Sequence, residues 1–335
     1  MRRMICDVPN LFFRCIAASK NSKITQTPEE QVMWGLHSCL VSLRKHYNQI
    51  KPNELAVVFE GSKNWRKTYT YSDECYSKRG YKANRVKDPS MQILFDVMDQ
   101  FKQLVKNYTA LIVVENEVLE GDDCVTAYVN KYKGEDEIYI VSSDKDFSQL
   151  IEKNVILINP ENSQPRTLVE VCGVDSAEYF IFEKCFRGDS GDNVISALPR
   201  VRSTALQKSW GVDGEPDLIL LNSLLDKSWD LPSSEEGEPC RKMHVGTLFE
   251  ENNLLMNLNA QPLHIKQIMQ QTVDSAVENR GRYDHFKMMR FLSEMELFKI
   301  ADDIDAFIPM FSNTGFQNLE RTQPKSKPKL AGFNF

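Results

Sequence analysis

An α/β protein with a mainly parallel central sheet flanked by helices is predicted by three features of the chain. Strands of near-continuous Val, Ile and Leu alternate with amphipathic helices, the pattern of a sheet covered on both faces. Carboxylates recur at the carboxyl ends of those strands, where open sheets of this kind bind ligands. Strand signals then fade after about Val174 and helical patterns take over, so a C-terminal helical region is expected.

Met4-Ile5-Cys6-Asp7-Val8 reads as the first strand, with Asp7 at or near its end. Thr27-Pro28-Glu29-Glu30 combines an N-cap, a Pro at the first helical position and a Glu three residues after the cap, a strong helix start. That helix should run to about Asn48, with Met33, Leu36, Leu40, Leu43 and Tyr47 facing one core. Leu55 to Glu60 is a buried-type strand ending on a carboxylate. A helix opens at Asp88-Pro89 and carries Met91, Leu94, Val97, Phe101, Leu104 and Val105 on one side. Thr109–Val114, Glu137–Ser143 and Asn154–Asn159 are the remaining strands. Helices are expected at Asp175–Phe186, near Thr247–Leu258 and over Tyr283–Ala306. Asp230 to Pro239 reads as an exposed acidic loop.

The formal net charge of −6 gives no global signal for nucleic acid, so any basic surface must be local. Eight cysteines lie far apart, with no CxxC pair and no zinc-ligand spacing. They read as reduced thiols of a cytosolic protein. Asp7, Pro9, Asn10 and Arg14 interrupt what would be the apolar part of a signal peptide, and no stretch has the length of a membrane span. A soluble chain is expected.

Glu120-Gly121-Asp122-Asp123 follows the third strand directly. Read alone it is a helix start, because acids in the first turn stabilise the positive end of the helix dipole. The same strand-to-acid arrangement recurs elsewhere, giving nine carboxylates: Asp7, Glu60, Glu120, Asp122, Asp123, Asp144, Asp146, Asp189 and Asp192. Two carboxylates ~6 Å apart repel by about 3 kcal/mol at an effective dielectric of 20. A cluster of them retains protons unless cations are bound. Hard oxygen donors without Cys or His favour Mg²⁺ or Mn²⁺, and the chemistry that suits such a site is two-metal phosphodiester hydrolysis.

Between the second strand and the second helix, Ser62 to Lys87 holds eight Lys or Arg against Asp73 and Glu74, a local net charge of +6. Trp65, Tyr69, Tyr71, Tyr76 and Tyr81 are interleaved, so phosphates would meet cations and unstacked bases would meet rings. If Cys75 to Lys87 is helical, Lys78, Lys82 and Arg85 form one basic stripe.

With these pieces in view, the chain resembles the 5′ nucleases of the flap endonuclease superfamily, and most the ribonuclease H branch of T-even-type bacteriophages. The resemblance covers about Met4 to Ser203. It is carried by Glu120-Gly121-Asp122-Asp123, by Ser142-Ser143-Asp144-Lys145-Asp146-Phe147-Ser148-Gln149-Leu150 and by Gly188-Asp189-Ser190-Gly191-Asp192-Asn193-Val194. It implies a PIN-like core with a helical arch and a helix-turn-helix-like duplex-binding element. Asp7, Glu120, Asp122, Asp123, Asp144, Asp146, Asp189 and Asp192 match family ligands for two Mg²⁺ or Mn²⁺ ions. Glu60 stands where the family has Asp. Lys82 and Arg85 match arch residues that contact the scissile phosphate, with Lys78, Arg79 and Tyr81 beside them. The family's glycine-rich turn, which carries potassium in many members, is replaced by Ile195 to Ser203, leaving Arg200 and Arg202 for the duplex.

The implied activity is 5′→3′ exonuclease and flap cleavage with RNA-primer removal, on flapped or nicked DNA and on RNA–DNA hybrid. A junction-binding protein without catalysis is the alternative, and a PIN-like RNA nuclease is a third reading. The expected organisation is a core over 1–186 including the arch 62–87, a duplex-binding helical region over 187–320, and a tail over 321–335. Leu330, Phe333 and Phe335 in that tail resemble a clamp-docking peptide. Expected partners are thus a sliding clamp and a single-stranded-DNA-binding protein, with no membrane, for a monomer in the cytoplasm.

Overall fold

The computed structural model describes residues 1–22, 27–85, 91–211, 215–232 and 240–316. Five strands run parallel: β1 (Arg2–Asp7), β2 (Glu54–Val58), β3 (Ile112–Val114), β4 (Glu137–Val141) and β5 (Val155–Ile158). A short β6 (Pro165–Arg166) pairs antiparallel with β5. The order is β3-β2-β1-β4-β5-β6, so the chain builds outward on one side of β1 and then crosses to the other. Cys6 is registered between Val57 and Val141. The reversal of direction falls between β1 and β4, the place where open parallel sheets leave a crevice at the strand ends. All five expected strands are present.

Asp7 ends β1, and the chain turns at once into α1 (Val8–Ser22), which the residues interrupting the apolar pattern had concealed. The Asn10 N–H donates to Asp7 Oδ1 at 3.1 Å, so Asp7 caps this helix from outside. α2 (Pro28–Ile50) starts on the expected capping box of Thr27 and Glu30 and runs two residues beyond Asn48. α4 (Gln92–Tyr108) buries Leu94, Val97, Phe101, Leu104 and Val105 as its periodicity requires. Its expected start at Asp88-Pro89 lies outside the described residues. The helices α5 (Gly121–Tyr132) and α7 (Ala177–Arg187) also lie where expected.

The segment after β2 departs from expectation. Among the described residues there, only α3 (Trp65–Thr70) is helical, and 75–85 run through bends, turns and irregular chain. Lys78 and Lys82 take left-handed φ values of 54° and 56°, which break any helix between them. The Tyr71 ring lies against Gly80, where an added Cβ would meet its hydroxyl at 2.7 Å. The proposed basic stripe of Lys78, Lys82 and Arg85 therefore does not form.

The remaining chain comprises α6 (Leu168–Cys172), α8 (Ser203–Trp210), α9 (Leu218–Leu225), β7 (Ser228–Leu231), β8 (Arg241–His244), α10 (Val245–Met256) and α11 (Leu263–Glu278). After these come α12 (His285–Glu294), α13 (Phe298–Asp302) and α14 (Ile308–Phe311). β7 and β8 form an antiparallel pair flanking the acidic stretch; residues 233–239 of that stretch lie outside the described residues.

Described residues of 187–320 pack on both faces of the sheet. Ile265, Met269 and Val273 of α11 join Ile5, Val58, Ile112 and Ile140 on one face of the sheet. On the other face Met288, Leu292, Ile300 and Phe311 join Met4, Leu36, Leu55 and Phe101. Each such side chain, fully buried, contributes about 1.5–3 kcal/mol of transfer free energy. The segment around α7, α8, α9, α10 and the β7–β8 pair has a cluster of its own, with Tyr179, Phe182, Phe186, Leu206 and Met243. No described helix is long and apolar enough to cross a membrane.

Candidate active site

The carboxyl ends of β1 and β4 carry the first two acids. One hydroxyl links them: Ser142 Oγ, fully buried, accepts the Asp144 N–H at 3.1 Å and donates to Asp7 Oδ2 at 3.3 Å. Asn10 Oδ1 accepts the Ser143 N–H at 3.0 Å and the Ser143 hydroxyl at 2.8 Å, tying α1 to the same turn. Asp144 also accepts the Asp146 N–H at 2.9 Å, which starts a 3-10 turn over Lys145–Leu150.

Glu60 is solvent-exposed, and its Cγ would lie 3.6 Å from a Cβ added at Gly121, so its side chain runs across the head of α5. Protein around it pushes its carboxyl above the ordinary value; the Lys82 charge opposes this and Glu120 adds to it. Burial raises Asp122 strongly, with the Asp144, Glu120 and Asp7 charges adding. Burial likewise raises Asp7 from 3.8 to about 7, helped by Glu60 and Asp144 and opposed by the Asn10 N–H. Five of the predicted acids therefore sit within one another's electrostatic reach at the switch point.

Asp123 is the exception. It is fully buried and turned inward, and its oxygens accept from Arg66 Nη2 and Nη1 at 2.9 and 2.8 Å and from Trp65 Nε1 at 2.9 Å. Gln261 Nε2 at 3.2 Å and the Glu120 N–H at 3.2 Å complete its shell. Burial pushes this carboxyl up, but Arg66 and the other donors outweigh it and hold it below the usual range. With its lone pairs so engaged, Asp123 leaves the ligand set and becomes a support for Glu120. The same Arg66 Nη1 reaches Glu120 Oε2 at 2.9 Å.

The loop after α7 carries Asp189 and Asp192. It is closed by reciprocal backbone bonds between Asp189 and Val194 at 2.9 and 2.8 Å, and an added Cβ at Gly188 would lie 2.4 Å from the Val194 carbonyl. Two lysines meet the acids. Lys82 Nζ lies 2.5 Å from Glu120 Oε1 and 4.0 Å from Asp192, and Lys184 Nζ lies 2.6 Å from Asp146 and 3.1 Å from Asp189. Burial alone would lower both ammonium pKa values, but these carboxylates outweigh it and raise them. Arg85 Nη2 reaches Asp192 Oδ1 at 2.8 Å.

Tyr81, expected to face nucleic acid, is instead buried with Val194, Leu255 and Met256, and its hydroxyl donates to Asp192 Oδ2 at 2.9 Å. Lys78, Arg79, Arg200 and Arg202 are exposed, the last two on the turn before α8. Leu330, Phe333 and Phe335 lie outside the described residues.

Among the described residues, no three His, Cys, Asp or Glu side chains are gathered closely enough to hold an ion as they stand. The donor chemistry nonetheless fits a hard divalent cation: all oxygen, with Asp7, Asp122, Glu60 and Asp146 pushed up first by burial and then by the charge of neighbouring carboxylates. Sequence reading missed Arg66, Lys184, Asn10 and Ser142. A cation one turn ahead of the acid loop was the available signal for Lys184.

Replacing Asp7 isolates its charge. The folded chain keeps a proton on Asp7 that the unfolded chain has lost between about pH 4 and about pH 7, so ionised Asp7 costs stability as pH rises through that window. In chelator, Asp7→Asn is expected to gain in thermal midpoint over wild type progressively from pH 4 to 7. Buried His46, lowered to about 4, gives the opposite slope in both proteins and cancels in the comparison. A constant difference across the window would contradict this account.

Comparisons with known proteins agree with this architecture. The family described as 5′-3′ exonuclease, N-terminal resolvase-like domain, matches residues 2–177. DNA polymerase I of Pseudomonas aeruginosa is 29% identical over 282 residues, covering 81% of this chain and 28% of that protein. A 5′-3′ exonuclease of Buchnera aphidicola subsp. Schizaphis graminum is 31% identical over 210 residues, covering 59% of this chain and 66% of that protein. The chain thus spans less than two thirds of the length of either relative. Among solved structures, zinc-bound T5 5′-exonuclease superposes with a TM-score of 0.57 at 20% identity, covering 83% of this chain and all of that one. The T5 D15 flap endonuclease complexed with DNA and metal ions gives 0.55 at 17% identity, over 83% and 100% of the two chains.

Proposed function

Because the chain belongs to the 5′-3′ exonuclease family, within the 5′ nuclease superfamily, we propose that it is a divalent-metal-dependent 5′ nuclease. It hydrolyses phosphodiester bonds as a 5′→3′ exonuclease and flap endonuclease, and removes RNA primers, in DNA replication or repair. The observation that carries this reading is the seating of two cations of the segment after β2 on the predicted acids: Lys82 on Glu120 at 2.5 Å at the strand ends, and Arg85 on Asp192 at 2.8 Å on the loop after α7. A basic segment held over an acid-lined crevice is what cutting a polyanion requires.

Asp7, Glu60, Glu120, Asp122, Asp144, Asp146, Asp189 and Asp192 would hold two Mg²⁺ or Mn²⁺ ions. Such ions, when bound, acidify water and stabilise the oxygens of an in-line displacement. The chain's own residues do the rest. Lys82 and Arg85 exchange their carboxylate partners for the scissile phosphate and orient it. Arg66, with Asp123, holds Glu120 in place, and the Tyr81 hydroxyl holds Asp192. Lys78 and Arg79 follow the 5′ single strand, while Arg200 and Arg202 meet the duplex backbone. The 321–335 tail, with Leu330, Phe333 and Phe335, is proposed to dock a sliding clamp, and a single-stranded-DNA-binding protein is a further proposed partner of a monomeric enzyme.

A 5′-flap duplex incubated with the protein is expected to lose its flap in Mg²⁺ and to stay whole in chelator. Uncut flap in both conditions, with folded protein, sinks the reading. Nicked and RNA-primed duplexes run alongside rank the three activities. Mn²⁺ added at pH 7 is expected to raise the thermal midpoint of wild type and to leave that of Asp7→Asn nearly unmoved.

A further inference from the structure

Helix α10 carries two buried polar residues, Glu251 at 5% exposure and Asn252 at 1%. Glu251 Oε1 accepts the Ser77 N–H at 3.0 Å, and Oε2 accepts the Tyr76 N–H and, at 3.4 Å, the Tyr69 hydroxyl. Asn252 Nδ2 donates to the Cys185 carbonyl at 2.8 Å and the Ile195 carbonyl at 2.9 Å, which bracket the loop bearing Asp189 and Asp192. One turn on, the Leu255 carbonyl accepts Arg66 Nε at 2.8 Å. A single helix thus grips the root of the arch, its middle and both sides of the acid loop.

Arch and loop also touch each other directly. The Lys82 N–H donates to the Asp192 carbonyl at 2.8 Å, Asn84 Nδ2 to the Ser190 carbonyl at 2.8 Å and Asn193 Nδ2 to the Gly80 carbonyl at 2.8 Å. We infer that Glu251 is a positioning residue that sets the register of residues 76–85 over the acid loop, and so decides whether Lys82 and Arg85 reach Glu120 and Asp192. The inference rests on the nuclease reading above.

The physical reason lies in the backbone. Residues 75–85 have no helix to satisfy their amides or to aim their side chains. At Tyr76 and Ser77 those amides are taken by one buried carboxylate, a charge-assisted pair of bonds with fixed geometry. Only four residues separate Ser77 from Lys82, so a slip at the anchor is transmitted to the ammonium group. A misplacement of about 1 Å can cost about 10²-fold in rate.

The test compares wild type, Glu251→Ala and Glu251→Gln as full chains, by kcat on a 5′-flap duplex, by binding of that duplex in chelator, and by amide exchange over Tyr69–Arg85. Glu251→Ala is expected to lower kcat about 10- to 100-fold and to speed exchange over that segment, with duplex binding nearly unchanged. Glu251→Gln, which keeps one acceptor oxygen and loses the other, should fall between. Unchanged cleavage with exchange protection retained in Glu251→Ala overturns the inference, as does an equal loss in duplex binding. Should Glu251→Ala not fold, Glu251→Gln at a near wild-type melting midpoint decides: a loss confined to kcat supports the anchor, and no loss overturns it. A wild type that leaves the flap uncut sinks the nuclease reading alone, because the exchange measurement still reports whether Glu251 holds the arch.

Discussion

Lys82→Ala is expected to lower turnover on a 5′-flap duplex by about 10²–10³-fold, the range for removing one preorganised charge donor from a reacting centre. Lys82 is mostly buried among carboxylates, 2.5 Å from Glu120 Oε1 and 4.0 Å from Asp192, and its ring neighbour Tyr81 is itself fixed by Asp192. In that position a cation is expected to contribute little to holding a duplex, whose contacts are proposed to fall to exposed Arg200 and Arg202. Its proposed contribution is to stabilising the charge that develops on the phosphate. Single-turnover rates set against duplex affinity in chelator test this. Equal losses in the two would mean that Lys82 serves binding in general, and the transition-state role would be withdrawn.

Arg66→Ala is expected to cost about 3–5 kcal/mol of folding stability, the usual penalty for stranding a buried charge. Arg66 is 1% exposed and uses Nε, Nη1 and Nη2 on Leu255, Glu120 and Asp123, with its guanidinium 4.6 Å from the centre of the Trp65 ring. Removing it leaves Asp123, fully buried, with only neutral donors. The double variant Arg66→Met with Asp123→Leu should recover much of the loss, since a packed apolar pair avoids the desolvation penalty of both ions. Urea unfolding of the three proteins measures this. A loss below about 1 kcal/mol in Arg66→Ala would show that water or other donors reach Asp123 when Arg66 is gone.

The five parallel strands, the buried faces of α2 and α4 and the capping box at Thr27 were legible in the sequence, since each depends on residues a few positions apart. The strand-end acids were legible for a related reason: in a parallel sheet, chain direction alone brings strand ends to one edge. Helix α1 was hidden because it starts at Val8, directly on the end of β1, with no loop between them to mark its start. Helix α11 went unread, and its burial comes from contacts with α5 and β3 more than a hundred residues away. The stripe expected over Cys75–Lys87 failed because its amides bond to Glu251 and Asp192, far along the chain, and local spacing cannot weigh such partners.

Asp122 and Asp123 mark the boundary between the two kinds of information. Neighbours at the head of one helix, they point about 100° apart by helix geometry, and composition treats them alike. By itself the sequence determined the sheet, the direction of its strands and thereby the edge at which carboxylates gather over a basic segment. Only the tertiary structure decided that Asp122 faces that edge while Asp123 is spent on Arg66, and that Glu251 holds the arch in register. Those outcomes turn on which buried charge meets which donor across long sequence separations, where an unpaired group costs more than any local preference can repay.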